Sequence, residues 1–245
     1  MGNLADLLFE LSSEERMAIL GKLVEKPMKL SHVATKLKIT VAEASRHLQR
    51  LADINLIKKD AEGLYELTPY GGFVLSLLPG LDFISQNTQY FSEHTVMVIP
   101  PKFRSRIGAL SSGKYIPDTL TTLRNYWDII NNAEEFTYSI KTNPMPVLQD
   151  EQTEIHQVEN WSILQDGYED VEGWLLIEGV RRRFLEKVEV FLLVTEKEAL
   201  FGLPFLNGKM DYSAFVSEDP DFREWCKDLF QYYWDKAKPN SSNSV

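Results

Sequence analysis

The sequence predicts an α+β protein in two parts: a small helical N-terminal domain that ends in a β-hairpin, and a larger domain in which helix and strand patterns alternate. Three observations support this prediction. Capped helical patterns come first, two strand-like runs then flank a glycine turn, and mixed helix and strand patterns begin near Thr95. With 245 residues, of which 44% are apolar, the chain is long enough for two domains that each bury a core.

Two helices are predicted before residue 40. Ser12 and Glu15 have the spacing of a capping box, which places the start of the first helix there. Its apolar residues at helical spacing are Met17, Leu20, Leu23 and Val24. Pro27 ends this helix, because proline has no backbone N–H to donate. A second, short helix is predicted from Ser31, with Val33, Ala34 and Leu37 facing inward.

A third helix begins after a turn of only a few residues. Thr40 and Glu43 repeat the capping-box spacing, and Asn55 suits the left-handed conformation that often ends a helix. The apolar stripe of this helix is Ala44, Leu48 and Leu51. Two helices joined by so tight a turn are typical of a helix-turn-helix.

The helix-turn-helix is followed by a predicted hairpin. Residues 57–60 and 64–68 are short strand-like runs, and Ala61-Glu62-Gly63 lies between them as a turn. Helix, turn, helix and hairpin together make a winged helix-turn-helix. We therefore assign residues 1–70 to a DNA-binding domain of this kind.

The third helix is the predicted recognition helix. The side chains on or near the face opposite its apolar stripe are Glu43, Arg46, Gln49 and Arg50. Arginine suits the acceptor edge of guanine and glutamine that of adenine, so this face can read a major groove. The side chains that can hold phosphates on either side are Lys36, Ser45, Lys58 and Lys59. The candidate DNA-binding set is completed by Ser31 and Thr40.

Charge is distributed unevenly along the chain. The formal net charge is −10, yet residues 1–70 hold ten basic and ten acidic side chains, so the remainder carries the whole excess. Between Lys22 and Lys59, nine basic residues accompany only three acidic ones. By itself such a window is equally typical of a solvated surface. Attached to a helix-turn-helix, it favours contact with DNA phosphates.

Residues 44–51 read Ala-Ser-Arg-His-Leu-Gln-Arg-Leu and, with 54–57 and 67–71, resemble the winged helix of arsenic-repressor-like bacterial and archaeal regulators. The sequence departs from that pattern at Lys38, Ala42 and Glu43. The first of these positions often carries glycine in such turns, and the other two often carry small hydroxyl residues. The resemblance implies a regulator that binds DNA.

Another helical segment is predicted after the hairpin. Thr68 and Pro69 suit its N-cap and first position, and Pro79-Gly80 should kink or split it. Its apolar residues recur at roughly helical spacing: Phe73, Leu77, Leu78, Leu81 and Ile84. Helices after a wing commonly pair subunits, so we expect residues 71–94 to be a helical linker that pairs subunits, the alternative being a strut between domains.

Residues 95–238 are predicted to form an α/β domain. The strand candidates are 96–99, 136–140 and 188–194. Asp118 and Asp219 are placed to cap helices, the second followed by Pro220 and a long apolar stripe. Residues 143–157 are predicted to be a loop, and residues 239–245 a disordered tail.

Residues 205–215 read Phe-Leu-Asn-Gly-Lys-Met-Asp-Tyr-Ser-Ala-Phe and, with 194–199 and 225–230, resemble the sensor domain of the archaeal methanogenesis-regulatory-protein family. The likeness extends over residues 13–238. It implies an archaeal transcriptional regulator, usually dimeric, in which a winged helix is joined to an α/β effector domain. Similarity to related archaeal regulators implies a phospholipase-D-like, non-catalytic layer in that domain.

A small-molecule effector is expected in the acidic second domain. The Arg181 to Arg183 run is its most unusual charge feature and can bind an anion. The candidate ligand-binding residues are Arg181, Arg183, Trp161 and Trp174. In the alternative interpretation, the tryptophans pack in the core, and the arginines lie at a strand or helix edge where they pair with Glu178, Glu186 and Glu189.

The residue patterns of catalytic and metal sites are missing from the sequence. No histidine is followed two residues later by lysine, as a phospholipase-D-type nucleophile requires, and there is no glycine-rich phosphate loop or Gly-x-Ser-x-Gly motif. The histidines are scattered: His32, His47, His94 and His156. Cys226, the one cysteine, lies on an apolar stripe and should be a buried, inert thiol. We expect no enzyme activity, no cofactor and no metal.

No apolar run approaches the roughly 18 to 20 residues of a membrane span, and no leader pattern is present, so we expect a cytoplasmic protein without a membrane partner. The sequence thus predicts a transcriptional regulator that binds double-stranded DNA as a homodimer on a palindromic operator and responds to a small molecule. The alternative is a protein-interaction module whose winged helix does not read DNA and whose basic window serves solubility.

Overall fold

The computed structural model describes residues 3–142, 158–167 and 179–239. Contacts divide the chain into an N-terminal unit, residues 1–78, and a C-terminal unit, residues 79–245. None of the helices in the described ranges combines the length and the apolar character needed to span a bilayer.

The N-terminal unit contains five helices and a small sheet among its described residues. The helices are α1 Leu4–Leu11, α2 Glu14–Glu25, α3 Leu30–Leu37, α4 Val41–Asp53 and α5 Pro69–Ser76. The strands are β1 Met28–Lys29, β2 Ile57–Lys59 and β3 Leu64–Leu67, paired antiparallel in the order β1-β3-β2. Strands β2 and β3 form the predicted hairpin, which together with α3 and α4 gives a winged helix-turn-helix arrangement.

The start of the unit differs from the sequence prediction. Helix α1 was not predicted, although Asn3 and Asp6 form a reciprocal capping box at its N-terminus. The N-cap of α2 is Ser13, whose hydroxyl accepts from the Arg16 amide, so the predicted cap at Ser12 was wrong by one residue. Ser12 instead ends α1, and its hydroxyl donates to the Phe9 carbonyl.

The helix-turn-helix is built as the apolar pattern predicts. Its core is Ile19, Leu20, Leu23, Met28, Val33, Ala34, Ala44, Leu48, Leu51, Leu56, Ile57 and Val74. Val24 was predicted to face this core, but its side chain is exposed, because the stripe of α2 runs through Ile19 instead. The turns use left-handed backbone at Lys38 (φ 56°) and Asn55 (φ 60°).

The α-helices of the C-terminal unit, among its described residues, are α6 Leu78–Gln86, which begins at the boundary, α7 Thr88–Glu93, α8 Pro101–Arg104, α9 Thr119–Asn131 and α10 Pro220–Trp234. The strands are β4 Lys114–Ile116, β5 Phe136–Lys141, β6 Glu159–Gln165, β7 Val180–Leu185, β8 Phe191–Thr195, β9 Ala199–Gly202 and β10 Ala214–Ser217. As predicted, Asp118 caps α9 and Asp219 caps α10.

The described strands of this unit form one seven-stranded sheet in the order β4-β10-β9-β8-β5-β6-β7. Strands β5, β6 and β7 run parallel, whereas the other neighbours are antiparallel. Apolar residues of α10 pack on one face, and those of α9 pack on the other face over β4, β8, β9 and β10. The unit is therefore a mixed α/β layer structure.

Three further expectations were wrong in detail. Val96–Val98 is a 3-10 turn rather than a strand. The strand candidate 188–194 contributes β8 only from Phe191 onward. The predicted linker helix consists of α5, α6 and α7, with breaks at Leu77 and Asn87, and Pro79-Gly80 lies within the first turn of α6. The predicted loop 143–157 and nearly all of the predicted tail lie outside the described residues.

The first helix after the wing depends on a glycine. Thr68 caps α5 by accepting from the Gly71 amide at 2.9 Å, and its amide donates to the Leu56 carbonyl at 3.0 Å. A Cβ on Gly71 would lie 2.0 Å from the Leu56 carbonyl oxygen, whereas a Cβ on Gly72 would meet nothing within 4 Å. The missing side chain at Gly71, but not the one at Gly72, is therefore what allows α5 to lie against the backbone of Leu56, just after α4.

Gly71→Ala should therefore destabilise the N-terminal unit by roughly 1 to 3 kcal/mol, because backbone must move to admit the methyl group. Gly72→Ala is the matched control and should stabilise the unit by about 0.4 to 1 kcal/mol, because alanine loses less backbone entropy on folding. Hydrogen exchange of the α2 and α4 amides in the full chain measures both changes. Equal effects of the two substitutions would contradict the close approach at Gly71.

Candidate nucleic-acid interface

Helix α4 presents a polar face on the side away from its buried stripe. Ser45, Arg46 and Gln49 are exposed, while Ala44, Leu48 and Leu51 are fully excluded from solvent. The Gln49 amide donates to the Asp53 carboxylate at 2.7 Å, which holds the glutamine along the helix surface. Arg46 has no carboxylate within ion-pair distance among the described residues, so its guanidinium is available to a partner.

The N-terminus of α4 is occupied by its own cap. The Glu43 carboxylate accepts from the Thr40 amide at 2.9 Å and from the Thr40 hydroxyl at 2.8 Å, and that hydroxyl also caps the Glu43 amide at 3.2 Å. These hydrogen bonds lower the pKa of Glu43. The sequence predicted both residues as DNA contacts, and the structure shows them engaged in starting the helix.

Arg50 is held by an acidic side chain from α1. Its guanidinium donates to both carboxylate oxygens of Glu10, with the shortest distance 2.7 Å. Glu10 is 9% exposed, and the Arg16 Nε lies 3.1 Å from its carboxylate. The hydrogen bond from Arg50, with the charges of both arginines, lowers the pKa of Glu10 despite its burial. The Phe9 ring lies beneath both guanidinium groups, at 5.2 Å from Arg50.

The hairpin carries the two lysines that the sequence predicted as phosphate contacts. Lys58 is exposed and lies 3.0 Å from Glu66 on the neighbouring strand, while Lys59 is exposed above the Tyr65 ring at 5.5 Å. The tip is fixed by Asp60, whose carboxylate accepts from two backbone amides of the turn. The base of the hairpin is therefore basic, and its tip is acidic.

Helix α3 contributes Ser31 and Lys36, both exposed. The Ser31 carbonyl accepts from the Thr35 hydroxyl at 2.9 Å. In the described part of the chain, Lys36 has no carboxylate within ion-pair distance. The structure thus brings together exposed, unneutralised cations at Lys36, Arg46 and Lys59 within one unit, and it separates Arg50 from them.

The candidate ligand residues of the C-terminal unit are engaged with aromatic rings. The guanidinium of Arg181 lies 5.6 Å from the Trp161 ring centre. That of Arg183 lies 4.6 Å from the Trp234 ring centre and donates to the Trp234 carbonyl at 2.7 Å. The two tryptophans stack at 4.7 Å.

The alternative interpretation placed the arginines at the edge of a strand or helix, paired with glutamates. Strand β7 is indeed an edge strand of the described sheet. In the described residues, however, Glu189 pairs with Lys187, at 2.6 Å. Trp174 and Glu178 lie outside the described residues.

Two polar clusters escaped the sequence analysis. Glu10 lies forty positions from Arg50, and no local pattern links them. His94 is buried between Tyr90 and Phe205, and its two ring nitrogens lie 2.8 Å from the Tyr90 carbonyl and 2.9 Å from Asp211. The local signal that could have pointed to the first cluster is the capping-box spacing of Asn3 and Asp6, which starts the helix that carries Glu10.

The one cysteine is buried, and the described residues hold no cluster of side chains suited to a metal ion. Cys226 is fully buried on α10, as predicted, and burial raises the pKa of its thiol well above the usual value. No group of three or more histidine, cysteine or carboxylate side chains suited to a metal ion occurs within the described ranges.

Comparisons with known proteins match each unit to a different domain family. Residues 4–82 match the family described as the HVO_A0261 N-terminal domain, and residues 161–236 match the middle domain of the methanogenesis regulatory protein FilR1. The second match confirms the resemblance noted for residues 194–230. Neither matched family is described as arsenic-repressor-like or phospholipase-D-like, so those two relationships stay predictions.

No curated protein matches the chain. Among solved structures, one match is described as "Structure of TrmBL2, an archaeal chromatin protein, shows a novel mode of DNA binding". It is 11% identical, covers 93% of this chain and 94% of that chain, and has a TM-score of 0.42. That similarity is too distant for its DNA-binding mode to be carried over. The chain is therefore similar, in separate segments, to the HVO_A0261 N-terminal domain and to a regulatory-protein middle domain.

Proposed function

We propose that this protein is a transcriptional regulator whose α4 reads the major groove of double-stranded DNA. The observation that carries the proposal is the division of α4 into a fully buried apolar stripe and an exposed face with Arg46 and Gln49. A helix fixed on one side and offering arginine and glutamine on the other fits the acceptor edges of guanine and adenine. The match of residues 161–236 to a regulatory protein supports a regulatory role.

Phosphate contacts surround this face. Lys36 from α3 and Lys59 from β2 supply unneutralised positive charge, and Lys58 adds an ammonium that is paired with Glu66. Ser31 and Ser45 supply hydroxyls that can donate to phosphate oxygens. The acidic hairpin tip, with Asp60 and Glu62, would be repelled by phosphate, so the wing contacts DNA along β2 rather than through its tip. Thr40 and Glu43 act indirectly, by fixing the start of the recognition helix.

Arg50 has a positioning role in this proposal rather than a contact role. Its bidentate pair with the buried Glu10 ties the recognition helix to α1. Releasing Arg50 to DNA would leave Glu10 with Arg16 alone, and a buried carboxylate that loses a partner is costly. The energetically favourable arrangement keeps the guanidinium of Arg50 paired with Glu10 of α1.

The regulator acts as a homodimer in this proposal. Large apolar side chains of α1 and α5 are exposed in the N-terminal unit: Leu4, Leu8, Phe9, Tyr70, Phe73 and Leu77. Exposed apolar side chains in such number on neighbouring elements of a small unit are typical of an interface. A second copy is the occupant that fits, because a two-fold dimer presents two recognition helices to a palindrome and doubles the few contacts of one unit.

The C-terminal unit is proposed to be a sensor without catalytic activity. A ligand that favours one arrangement of the protein over another would change operator occupancy, and a coupling of about 1 to 3 kcal/mol is sufficient. The direction of regulation follows from which arrangement the ligand favours.

Arg46→Ala should weaken binding to the protein's own upstream duplex by about 5- to 150-fold, because one bidentate base contact is typically worth about 1 to 3 kcal/mol. The matched control is Arg124→Ala, which removes an exposed arginine from α9 in the other unit and should leave affinity unchanged. Fluorescence anisotropy at one fixed salt concentration measures both. Wild-type affinity in Arg46→Ala would overturn the assignment of α4 and favour the protein-interaction alternative.

Arg50→Ala should lower the melting temperature of the N-terminal unit, whereas Arg46→Ala should leave it unchanged, because only the first substitution strips a partner from a buried carboxylate. Circular dichroism of both variants at pH 7 gives the comparison. The difference should shrink as the pH falls through the lowered pKa of Glu10, since a protonated Glu10 no longer needs its guanidinium partner. Equal melting temperatures at pH 7 would show that Arg50 has no positioning role.

Phe73→Glu should convert the protein from dimer to monomer, because a carboxylate would be buried at the proposed interface. Sedimentation equilibrium measures the change from twice the chain mass to the chain mass. Leu206→Glu, which alters an equally exposed apolar residue of the other unit, is the control and should remain dimeric. A wild-type monomer, or a dimeric Phe73→Glu variant, would contradict this interface.

A further inference from the structure

One face of the seven-stranded sheet in the C-terminal unit is apolar over β8, β9 and β10 and largely polar over β5, β6 and β7. On the α9 side, the strands β8, β9 and β10 present apolar residues: Phe191, Leu193, Leu200, Ala214 and Val216. On the same side, β5, β6 and β7 present mostly polar residues, namely Thr137, Ser139, Lys141, Asn160, Ser162 and Arg182, with Leu164, Val180 and Phe184 among them. The pairing register places Ser139, Ser162 and Arg182 in one row across the three parallel strands.

The hydroxyl groups of this polar half are buried without enough acceptors. Thr137, Ser139 and Ser162 are each at most 5% exposed. Ser139 and Ser162 share one hydrogen bond of 3.1 Å, so one of their two protons has no acceptor within the described ranges. The Thr137 hydroxyl has no partner at all there. A buried polar group left unpaired costs about 1 to 3 kcal/mol, so such an accumulation requires an explanation.

A cation and a phenol lie beside this row of donors. Lys141 is two residues beyond Ser139 on the same face of β5, in the row that continues to Leu164 on β6 and Phe184 on β7. Lys141, the last residue of β5, donates to the Tyr126 hydroxyl at 2.9 Å and lies 5.3 Å from that ring centre. No carboxylate of the described residues lies within ion-pair distance of Lys141. Tyr126 is fully buried, and having accepted from Lys141 its own proton has no acceptor in the parts of the chain that the structure describes.

These groups share one chemical property. The hydroxyls, the ammonium and the phenol are all able to donate, and in the described residues no carboxylate balances them. Lys141 also lies at the carboxyl end of the parallel strands, where open α/β sheets bind their ligands. The complement of such a cluster is a group with several acceptor oxygens and a negative charge.

We propose that a cluster named here the donor face, formed by Ser139, Lys141 and Ser162 of the sheet with Tyr126 of α9, binds the oxyanion group of a small molecule, a carboxylate or a phosphate. Anion binding by the donor face does not depend on the proposed function and does not require DNA. Only the further conclusion, that the bound anion is the effector of the regulator, rests on the proposed function.

The proposed anion site does not include Arg181 and Arg183, the two arginines that the sequence suggested as ligand-binding residues. Arg181 and Arg183 alternate with Arg182 along β7 and therefore point to the opposite face, where they contact Trp161 and Trp234. Aromatic rings and a backbone carbonyl already occupy those two guanidinium groups. Arg182 shares the face with the serines, and its guanidinium donates to the Val180 carbonyl.

Thermal unfolding followed by tryptophan fluorescence tests the donor face directly. All five tryptophans lie beyond residue 78, so anions bound at the winged helix do not contribute to this signal. The probes are inorganic phosphate and succinate, each compared with sodium chloride at equal ionic strength. At about ten times its dissociation constant, an anion that binds should raise the melting temperature by about 2 to 6 °C. Response to only one of the two probes identifies the oxyanion type.

Lys141→Met should abolish this rise, because it removes the charge and keeps the apolar stem. Ser162→Ala should weaken the response, and it serves as a second variant because the substitution is small. Arg181→Met is the matched control, from the opposite face of the same sheet, and should respond as the wild type does. Retained response in Lys141→Met, loss in Arg181→Met, or no response of the wild type to either anion would overturn the proposal. A rise in melting temperature without DNA binding would overturn the proposed function alone.

Discussion

The burial of one stripe of α4 determines what the N-terminal unit can do. Ala44, Leu48 and Leu51 are fully excluded from solvent, so the helix cannot rotate without exposing them. The orientation of its other side follows from that constraint. Arg46 and Gln49 are held outward on a rigid element, which is the condition for reading a groove with only a few side chains.

The two ends of α4 reinforce this constraint in different ways. At the start, Thr40 and Glu43 satisfy backbone amides that would otherwise lack partners. Near the end, Arg50 reaches a buried carboxylate on α1. Helix α4 is thus fixed by apolar packing, a local cap and one long-range ion pair, and Arg46 is its one arginine that none of these interactions uses.

Much of this architecture could be predicted because its causes are local. The caps at Thr40, Asp118 and Asp219, and the left-handed Asn55, each depend on neighbours within a few residues. The cap of α2 was misplaced because Ser12 and Ser13 both precede acidic residues, and only the end of α1 distinguishes them. The Glu10 to Arg50 pair was invisible, because it joins side chains that only the tertiary fold brings together.

The candidate ligand sites could not be predicted for the same reason, because they too depend on the tertiary fold. The run of three arginines attracted attention as a block of charge, but a strand alternates its side chains between two faces and divides the block. Ser139 and Ser162 carry no recognisable motif, and they become a feature only when the parallel register aligns them. Strand pairing, rather than composition, decides which polar groups can act together.

The most direct test of whether α4 reads a DNA groove is the salt dependence of DNA binding by the wild-type protein. Fluorescence anisotropy would compare its own upstream duplex with a scrambled duplex between about 50 and 200 mM salt. We expect tighter binding to the upstream duplex and an affinity that falls steeply as salt rises, with a logarithmic slope of roughly −0.9 for each phosphate neutralised. Equal binding to both duplexes, or an affinity that salt does not change, would contradict a groove-reading α4.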